Sequence, residues 1–372
     1  MRALLHRYLL PGLIVQAVIV GGGYATGREL VEFFLGAGPA TGTLGIGLTA
    51  VAFSAVAMVS FELARRFGAY DYQSFCRIYL GRWSFLFELG YAASLLLVLS
   101  VICAAAAKLL ASLAGTPESA NAPAFMAAVA ALVFFGSTLV ERLISVWSVV
   151  FYLVYGGLFA LVLSRHGEAM AAALHAVPVD AAAAARNGLA YAGYNLPVLP
   201  ILIFVARHFA TRQQALVAGA LTGPLVLLPG LAFLLTLSAF YPDILAEPLP
   251  VLSVLDHLDL PPLALLVRLV ILGALLKTGV GLLHGLNERI AHRRGAAAAM
   301  PRWVRPAVAL AAMGVAVAIA GRIGLIDLIG RGYRYSSLYF LLVFVLPLLT
   351  RGLWLACRGD RAPAPVARTD AG

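Results

Sequence analysis

The sequence predicts an all-α membrane protein in which ten transmembrane helices form two repeats of five. Three observations favour this fold: the composition, the number and length of the apolar segments, and two helix interruptions at equivalent positions of the two halves. The chain of 372 residues is 62% hydrophobic and 12% charged, with a mean hydropathy of +0.93. Soluble domains carry about 25% charged residues, so these values indicate a polytopic membrane protein.

Ten segments are apolar and long enough to cross a bilayer, which takes about 20 residues. They cover approximately residues 8–36, 40–64, 84–114, 122–140, 144–164, 186–206, 213–240, 262–287, 303–321 and 334–356. Residues 1–357 are therefore predicted to form one transmembrane domain, with a first repeat at about 8–164 and a second at about 186–356. Because each repeat has an odd number of spans, the two would insert with opposite orientations. Residues 358–372 contain an Ala-Pro-Ala-Pro sequence and are predicted to be a disordered cytoplasmic tail.

The excess of basic residues follows the predicted topology. A formal net charge of +10 on a soluble protein would suggest a nucleic-acid partner. With a cytoplasmic N-terminus, however, most lysines and arginines fall in cytoplasmic segments, as the positive-inside rule requires. We therefore predict a multi-pass protein with both termini in the cytoplasm, the lipid bilayer as its surroundings and no nucleic-acid partner.

The first span is interrupted near its middle. Residues 20–29 read Val-Gly-Gly-Gly-Tyr-Ala-Thr-Gly-Arg-Glu, which places four glycines and two charged side chains within an apolar segment. Glycine weakens a helix, and an ionised side chain at mid-membrane costs roughly 2.5–3.5 kcal/mol. Irregular backbone at this depth is tolerated where protein buries it or where it lines a cavity. We predict non-helical backbone at about residues 21–26, facing a site.

A second interruption is predicted in the sixth span. Residues 191–200 read Tyr-Ala-Gly-Tyr-Asn-Leu-Pro-Val-Leu-Pro, and each proline removes a backbone donor and clashes with the preceding turn. We expect non-helical backbone at about residues 193–197, facing the first interruption. Paired interruptions in corresponding spans of two repeats are typical of the substrate site of a transporter.

Both interruptions resemble those of a known family. Residues 21–29 resemble the Gly-x-Gly-Phe-Ala-Ser-Gly-x-Glu stretch of the bacterial YkvI-like membrane proteins, and residues 191–196 are similar to their sixth helix. That family belongs to the amino acid–polyamine–organocation (APC) superfamily. The resemblance therefore implies the LeuT-type fold, a 5+5 inverted repeat with broken helices 1 and 6, in a bacterial cytoplasmic (inner) membrane. Arg28 departs from the family pattern, which has a neutral polar residue there.

The candidate substrate-binding residues lie at the two interruptions. They are Gly21, Gly22, Gly23, Tyr24, Ala25, Thr26 and Gly27 in the first span, and Gly193, Tyr194 and Asn195 in the sixth. The unpaired N–H groups and positive helix end after the first interruption would attract a carboxylate or another anionic group. The alternative is that the glycines only allow neighbouring helices to pack closely. Polar side chains of the third and fifth spans, including Tyr91, Ser94 and Tyr155, could also line such a pocket.

Charged residues just beyond the first interruption have two interpretations. Arg28 and Glu32 are four residues apart, so helical spacing allows them to pair and neutralise each other. Alternatively, Arg28, Glu29 and Asp327 form an external gate in which Arg28 reaches Asp327. The sequence does not separate these possibilities.

Three residues are candidates for coupling to a cation or a proton. Carbonyl groups released from Val20 to Gly23 could coordinate Na⁺, and Thr278 in the eighth span offers a hydroxyl ligand. The neighbouring Lys277 lies near mid-membrane, beyond the reach of snorkelling. It is a candidate for a built-in cation in place of Na⁺, a proton carrier or a substrate contact, the alternative being a structural lysine bonded to carbonyls. No cofactor is expected, and no metal beyond a possible Na⁺; the coupling ion is Na⁺ or H⁺.

The sequence lacks the motifs of membrane enzymes. It contains no His-Glu-x-x-His, Gly-x-Ser-x-Gly, Walker or Cys-x-x-Cys sequence, which argues against a protease, an ATP-driven pump and a redox protein. We therefore expect no enzymatic activity. Two functions remain: a secondary active transporter (a symporter) of a small metabolite such as an amino acid, working by Na⁺- or H⁺-coupled alternating access, and a non-transporting receptor or sensor that retains the transporter fold.

Overall fold

The computed structural model describes residues 5–135, 138–293 and 304–358, which form helices and connections without a strand. The first span consists of α1 (Leu10–Ile19), α2 (Gly22–Ala25) and α3 (Arg28–Phe33). The next helices are α4 (Pro39–Phe67), α5 (Tyr72–Leu80), α6 (Ser84–Ala114), α7 (Glu118–Phe135), α8 (Thr138–Leu174), α9 (Ala181–Asn195), α10 (Val198–Ile201), α11 (Arg212–Ser238), α12 (Pro250–Leu258), α13 (Pro261–Arg293) and α14 (Val304–Ile323). The last segment, α15 (Leu325–Cys357), alternates α and π turns. Residues 359–372 of the predicted tail lie outside the described residues.

Several of these helices are suited to a bilayer. Among the described residues, six helical segments are long and apolar enough to cross a membrane. They are Pro39–Phe67, Tyr72–Ala114 (α5 and α6 together), Val149–Leu174, Arg212–Ser238, Pro261–Leu286 and Leu325–Cys357. Three shorter apolar helices accompany them: Arg7–Ile19, Glu118–Val133 and Ala307–Ile323. The prediction of an all-helical, multi-pass membrane protein is therefore confirmed. The count of ten spans and the division into two inverted repeats stay predictions.

The first span is broken at two points. After α1, Val20 (φ −74°, ψ 73°) and Gly21 (φ −108°, ψ −162°) leave the helical conformation. After α2, Gly27 has φ +81°, a left-handed conformation that glycine adopts without the clash of a Cβ. The predicted interruption is therefore present, but residues 22–25 form a short helix at its centre. The span is a sequence of three helices rather than two helices joined by one extended segment.

The sixth span is interrupted later and more mildly than predicted. Gly193 lies within α9, which continues to Asn195. Leu196 (φ −56°, ψ −30°) and Pro197 (φ −59°, ψ −10°) retain right-handed dihedral angles, and α10 is followed by a 3₁₀ helix, Ile203–His208. A proline removes a hydrogen-bond donor, yet its fixed φ is compatible with a helical turn. The prolines therefore change the helix type without producing extended backbone.

Close packing of α4 against α9 and α11 forms much of the scaffold beside these interruptions. At Gly219 in α11, a Cβ would lie only 2.5 Å from the Cα of Met58 in α4. Thr49 of α4 donates a hydrogen bond to the carbonyl of Gly188 in α9 (3.1 Å). Small residues permit this approach of backbones, as is usual between membrane helices.

Candidate functional site

A cavity of about 380 Å³ lies where the first and sixth spans are interrupted. Its wall is completed by α6, α13 and α15. Of the predicted substrate-binding residues, those that line it are Gly21, Gly22, Gly23, Tyr24, Tyr194 and Asn195. The two interruptions therefore face one space, whose size is in the range of small-molecule sites.

The other predicted substrate-binding residues hold the break together instead of lining the cavity. The carbonyl of Ala25 accepts a hydrogen bond from the hydroxyl of Tyr155 in α8. The Thr26 hydroxyl donates to the carbonyl of Gly23 (2.8 Å), and the Thr26 carbonyl accepts from the N–H of Val251 in α12 (3.2 Å). These bonds satisfy polar backbone groups that a continuous helix would satisfy by itself.

Gly27 and Gly193 are also packing positions. A Cβ at Gly27 would lie 3.2 Å from the ring of Phe233, in addition to the unfavourable positive φ. At Gly193 it would lie 2.9 Å from the backbone carbonyl of Ser337 in α15. The helix-packing interpretation of the glycines therefore describes these two positions.

Glu29 lies at the end of the cavity that is formed by α3. Glu29 is only 6% exposed, and its Oε2 accepts a hydrogen bond from the Tyr194 hydroxyl (2.5 Å). Its Oε1 lies so close to Gly23 that a Cβ there would overlap it. Within the described residues, Glu29 takes part in no ion pair. Glu29 was predicted to be a gate residue, and the structure places it in the wall of the cavity.

Aromatic rings surround this carboxylate. The ring of Tyr194 stacks between Tyr333 (centroids 4.4 Å apart) and Phe33 (5.4 Å). Tyr333, Tyr91 and Phe340 also line the cavity. The sequence interpretation did not identify Tyr333 or Phe340. A signal was available in residues 333–337, Tyr-Arg-Tyr-Ser-Ser, a polar stretch within the last apolar span.

On the facing helix α13, Thr278 stabilises the break in the first span. Its Oγ1 accepts a hydrogen bond from the N–H of Gly22 (2.9 Å) and donates one to the carbonyl of Ala274 (2.9 Å). The hydroxyl thus serves as a cap for α2 supplied by another helix. The close packing of α13 against α2 leaves no room for a side chain at Gly22, where a Cβ would lie 2.7 Å from the Cα of Leu275.

Lys277 lies beside the end of α1. Its Nζ is 3.5 Å from the carbonyl oxygen of Ala17, one turn before the break. It lines the main cavity and, together with Val20, a narrow space against Trp147 and Tyr152. An ammonium group therefore stands close to the end of a helix whose last carbonyls lack intrahelical donors.

A cluster of charged side chains lies along α3, with Arg28 at its first residue and Glu32 one turn further on. Arg28 donates to the carbonyls of Leu245 (2.7 Å) and Glu247 (3.1 Å) and pairs with Glu32 (3.1 Å). Arg334 of α15 lies 3.6 Å from the same Glu32 carboxylate and over the ring of Phe33 (5.4 Å). We call Arg28, Glu32 and Arg334 the ionic cluster.

The ionic cluster does not include Asp327. The predicted Arg28–Asp327 contact is not formed, because Asp327 lies 3.3 Å from Arg331 and both side chains are exposed. The alternative, an Arg28–Glu32 pair, is the one that is present. Its four-residue spacing was visible in the sequence, whereas the contribution of Arg334, about 300 residues away, was not.

The cavity is asymmetric between its two ends. Near the ionic cluster, Phe33 and Phe34 are fully buried, at 0% and 1% exposure. In the opposite direction the cavity extends along Ala17 of α1, Leu202 after α10 and Gly285 of α13. The cavity therefore extends away from the ionic cluster, along the last turn of α1.

Comparison with known proteins supports the fold. No family model matches the chain, and no curated protein does. Among solved structures, the chain is similar to the Eremococcus coleocola manganese transporter bound to an aromatic bis-isothiourea substituted compound (15% identity, 93% of this chain and 78% of that chain, TM-score 0.60). It is also similar to MhsT in complex with L-phenylalanine (16% identity, 91% and 87%, TM-score 0.62). These are LeuT-fold proteins, so the predicted fold class is supported at this level. Membership of the YkvI-like family and of the APC superfamily stays a prediction.

Proposed function

We propose that this protein is a secondary active transporter of a small metabolite, an amino acid or a related compound, in a bacterial cytoplasmic membrane. The observation that carries the proposal is a cavity at two facing helix interruptions, closed at one end and extended toward the other. Alternating access needs a central site whose two ends open in turn. The similarity to LeuT-fold structures supports the same proposal at the level of the fold.

With the N-terminus in the cytoplasm, the closed end faces outward and the cavity extends toward the cytoplasm. The ionic cluster is then the external gate. It joins α3 to α15 and to the loop that carries Leu245 and Glu247. Outward opening would separate Arg334 from Glu32 and draw the loop away from Arg28. Such rigid-body rearrangements of whole helices are the usual route between the two states.

For coupling, we infer that Lys277 provides a built-in cation and that a proton is the coupling ion. Its ammonium group lies at the end of α1, where released carbonyls favour a cation. The Thr278 hydroxyl, the other predicted Na⁺ ligand, already accepts from Gly22 and donates to Ala274. Coordination of Na⁺ by Thr278 and the carbonyls near Val20 is the competing possibility, for which the Thr278 oxygen would use its second lone pair.

The test is uptake into proteoliposomes under separately imposed H⁺ and Na⁺ gradients, with a mixture of radiolabelled amino acids as probe. We expect accumulation to follow the H⁺ gradient and to be lost in Lys277→Ala, while counterflow exchange continues. Lys108→Ala is the matched control, since Lys108 pairs with Glu118 away from the cavity (2.9 Å). Strict Na⁺ dependence that is unchanged in Lys277→Ala would rule out the built-in cation. Binding without any counterflow would favour the receptor alternative.

A further inference from the structure

Glu29 is a carboxylate buried at the wall of the cavity, and no described residue pairs with it as a base. The residue is 6% exposed and, among the described residues, forms no ion pair. Burial of a carboxylate within a membrane bundle is costly, and such groups are normally paired or functional. Its Oε2 accepts a hydrogen bond from the Tyr194 hydroxyl. Oε1, which borders Gly23, has no hydrogen bond to any described residue.

The cation next to Glu29 in the sequence is not available to it. The guanidinium of Arg28 is turned away and binds the carbonyls of Leu245 and Glu247 together with the Glu32 carboxylate. The ionic cluster is therefore complete without Glu29. A cation bound in the cavity would neutralise the Glu29 carboxylate.

The surroundings of Glu29 are those of a receptor for an ammonium group. Tyr194, fixed between two rings, holds one carboxylate oxygen in place. The Tyr333 hydroxyl lies beside Gly23, as the Glu29 Oε1 does. The Tyr91 and Phe340 side chains add aromatic surface to the wall. A carboxylate supplies a charge-assisted acceptor, and aromatic faces attract cations within about 6 Å.

We propose that Glu29, positioned by Tyr194 and flanked by Tyr333, binds an ammonium group of the substrate. The substrate is then an amine or an amino acid, and a compound with a carboxylate alone is excluded. This inference rests on the proposed function, because it names the substrate class of the same cavity. It also alters the sequence-based expectation of a site selective for an anionic group: the anionic side chain at this end selects a cation.

The first experiment measures how fast dicyclohexylcarbodiimide labels Glu29 in the purified full-length protein, read by mass spectrometry. The probes are matched sets: isoamylamine, L-leucine and 4-methylpentanoate, then phenethylamine, L-phenylalanine and 3-phenylpropanoate. We expect at least one amine-bearing probe to slow the labelling of Glu29 fivefold or more, and neither carboxylate-only probe to do so. Labelling of the exposed Glu118 is the internal control, which no probe should affect. Protection by the carboxylates, or by none of the amines, overturns the proposal.

Within each set, comparing the amine with the amino acid distinguishes two possible classes of substrate. Protection by isoamylamine or phenethylamine as strong as that by the amino acid indicates a simple amine. Protection at least tenfold more effective with the amino acid indicates a zwitterion whose carboxylate is also bound. Either result supports an ammonium group at Glu29.

A variant provides the second experiment. Glu29→Gln keeps the shape and the hydrogen-bonding capacity toward Tyr194 but removes the charge. With the most protective amine as ligand, we expect its apparent Kd from thermal shift to rise more than tenfold, with the unliganded melting temperature retained. Glu118→Gln, a change of an exposed carboxylate, should leave the Kd as in the wild type. An unaltered Kd in Glu29→Gln would show that the ammonium group binds elsewhere.

Counterflow distinguishes failure of this inference from failure of the proposed function. If the reconstituted protein exchanges labelled 4-methylpentanoate and no amine, it is a transporter and the ammonium assignment is wrong. If amines bind through Glu29 but no probe is exchanged, the assignment stands and the transporter proposal fails.

Discussion

Two carboxylates three residues apart on α3 have opposite surroundings. Glu32 lies 3.1 Å from Arg28 and 3.6 Å from Arg334 and forms part of the ionic cluster. Glu29, one turn nearer the break, borders the cavity, and its hydrogen-bond partner among the described residues is the Tyr194 hydroxyl. Because residues three apart lie one above the other on a helix, one turn separates a structural acid from an acid available to a ligand. Residue type alone would not have distinguished them.

The ionic cluster and the break also differ in how they are held. In the ionic cluster, charged side chains bind one another and the loop carbonyls of Leu245 and Glu247. At the break, three other helices each form one hydrogen bond: Gly22 donates its N–H to Thr278, and the carbonyls of Ala25 and Thr26 accept from Tyr155 and Val251. In the proposed transport cycle, the contacts of the ionic cluster would separate, whereas those at the break would support the site.

The largest effect is expected at Gly23, which borders the Glu29 carboxylate in the cavity wall. A Cβ in Gly23→Ala would overlap the Glu29 Oε1 and displace the carboxylate. We expect the affinity for the most protective amine to fall about 100-fold, or roughly 2.7 kcal/mol, while the protein still folds. Thermal-shift titration measures this.

Gly281→Ala is the matched control for that change. Gly281 lines the same cavity, but a Cβ there meets no atom within 4 Å. Its affinity should remain within about threefold of the wild type, which corresponds to well under 1 kcal/mol. Equal losses in the two variants would mean that any added methyl group blocks the cavity, independently of Glu29.

The next effect concerns the other carboxylate. Glu32→Gln leaves Arg28, which is 5% exposed, without its anionic partner. Breaking a buried pair costs 3–5 kcal/mol, and the partial exposure of Glu32 reduces this to about 2–3 kcal/mol. We expect a lower melting temperature and faster hydrogen exchange of residues 28–34, without a change in amine affinity for the folded closed state.

Asp327→Asn is the comparison for the ionic cluster. The Asp327–Arg331 pair has side chains that are 52% and 79% exposed, so its loss should cost less than about 1 kcal/mol. If Asp327→Asn instead increases the exchange of residues 28–34 more than Glu32→Gln does, Asp327 belongs to the gate in another conformation, as the sequence suggested.

A smaller effect is expected at the support of α2. Thr278→Val removes the acceptor for the Gly22 N–H and should lower the free energy of unfolding by about 1–3 kcal/mol. Thr278→Ser retains the hydroxyl and should restore most of it. The loss should be equal in NaCl and in choline chloride. A loss confined to NaCl would identify the hydroxyl as a Na⁺ ligand and contradict the built-in cation.

The sequence was informative where local chemistry decides the structure. The glycines of the first span predicted the break, and the four-residue spacing predicted the Arg28–Glu32 pair as one of two alternatives. The sequence was uninformative where contacts between residues far apart in the chain determine the structure. The cap of Gly22 comes from Thr278, and the second cation at Glu32 comes from Arg334, both more than 250 residues away. In the sixth span, prolines whose φ suits a helical turn were interpreted as a stronger break than the one present.

The smallest predicted difference in amine affinity is between substitutions at two neighbouring residues of the sixth span. Tyr194 and Asn195 both line the cavity, but only Tyr194 contacts Glu29. The Asn195 amide donates to the carbonyl of Tyr191 in its own helix (3.1 Å). Tyr194→Phe retains the ring stack and loses one hydrogen bond to a carboxylate, so amine affinity should fall about tenfold, or roughly 1.4 kcal/mol. Asn195→Ala should lower it less than about threefold. Thermal-shift titration separates the two; the reverse order would place the ammonium group at the sixth-span amide and leave Glu29 with another task.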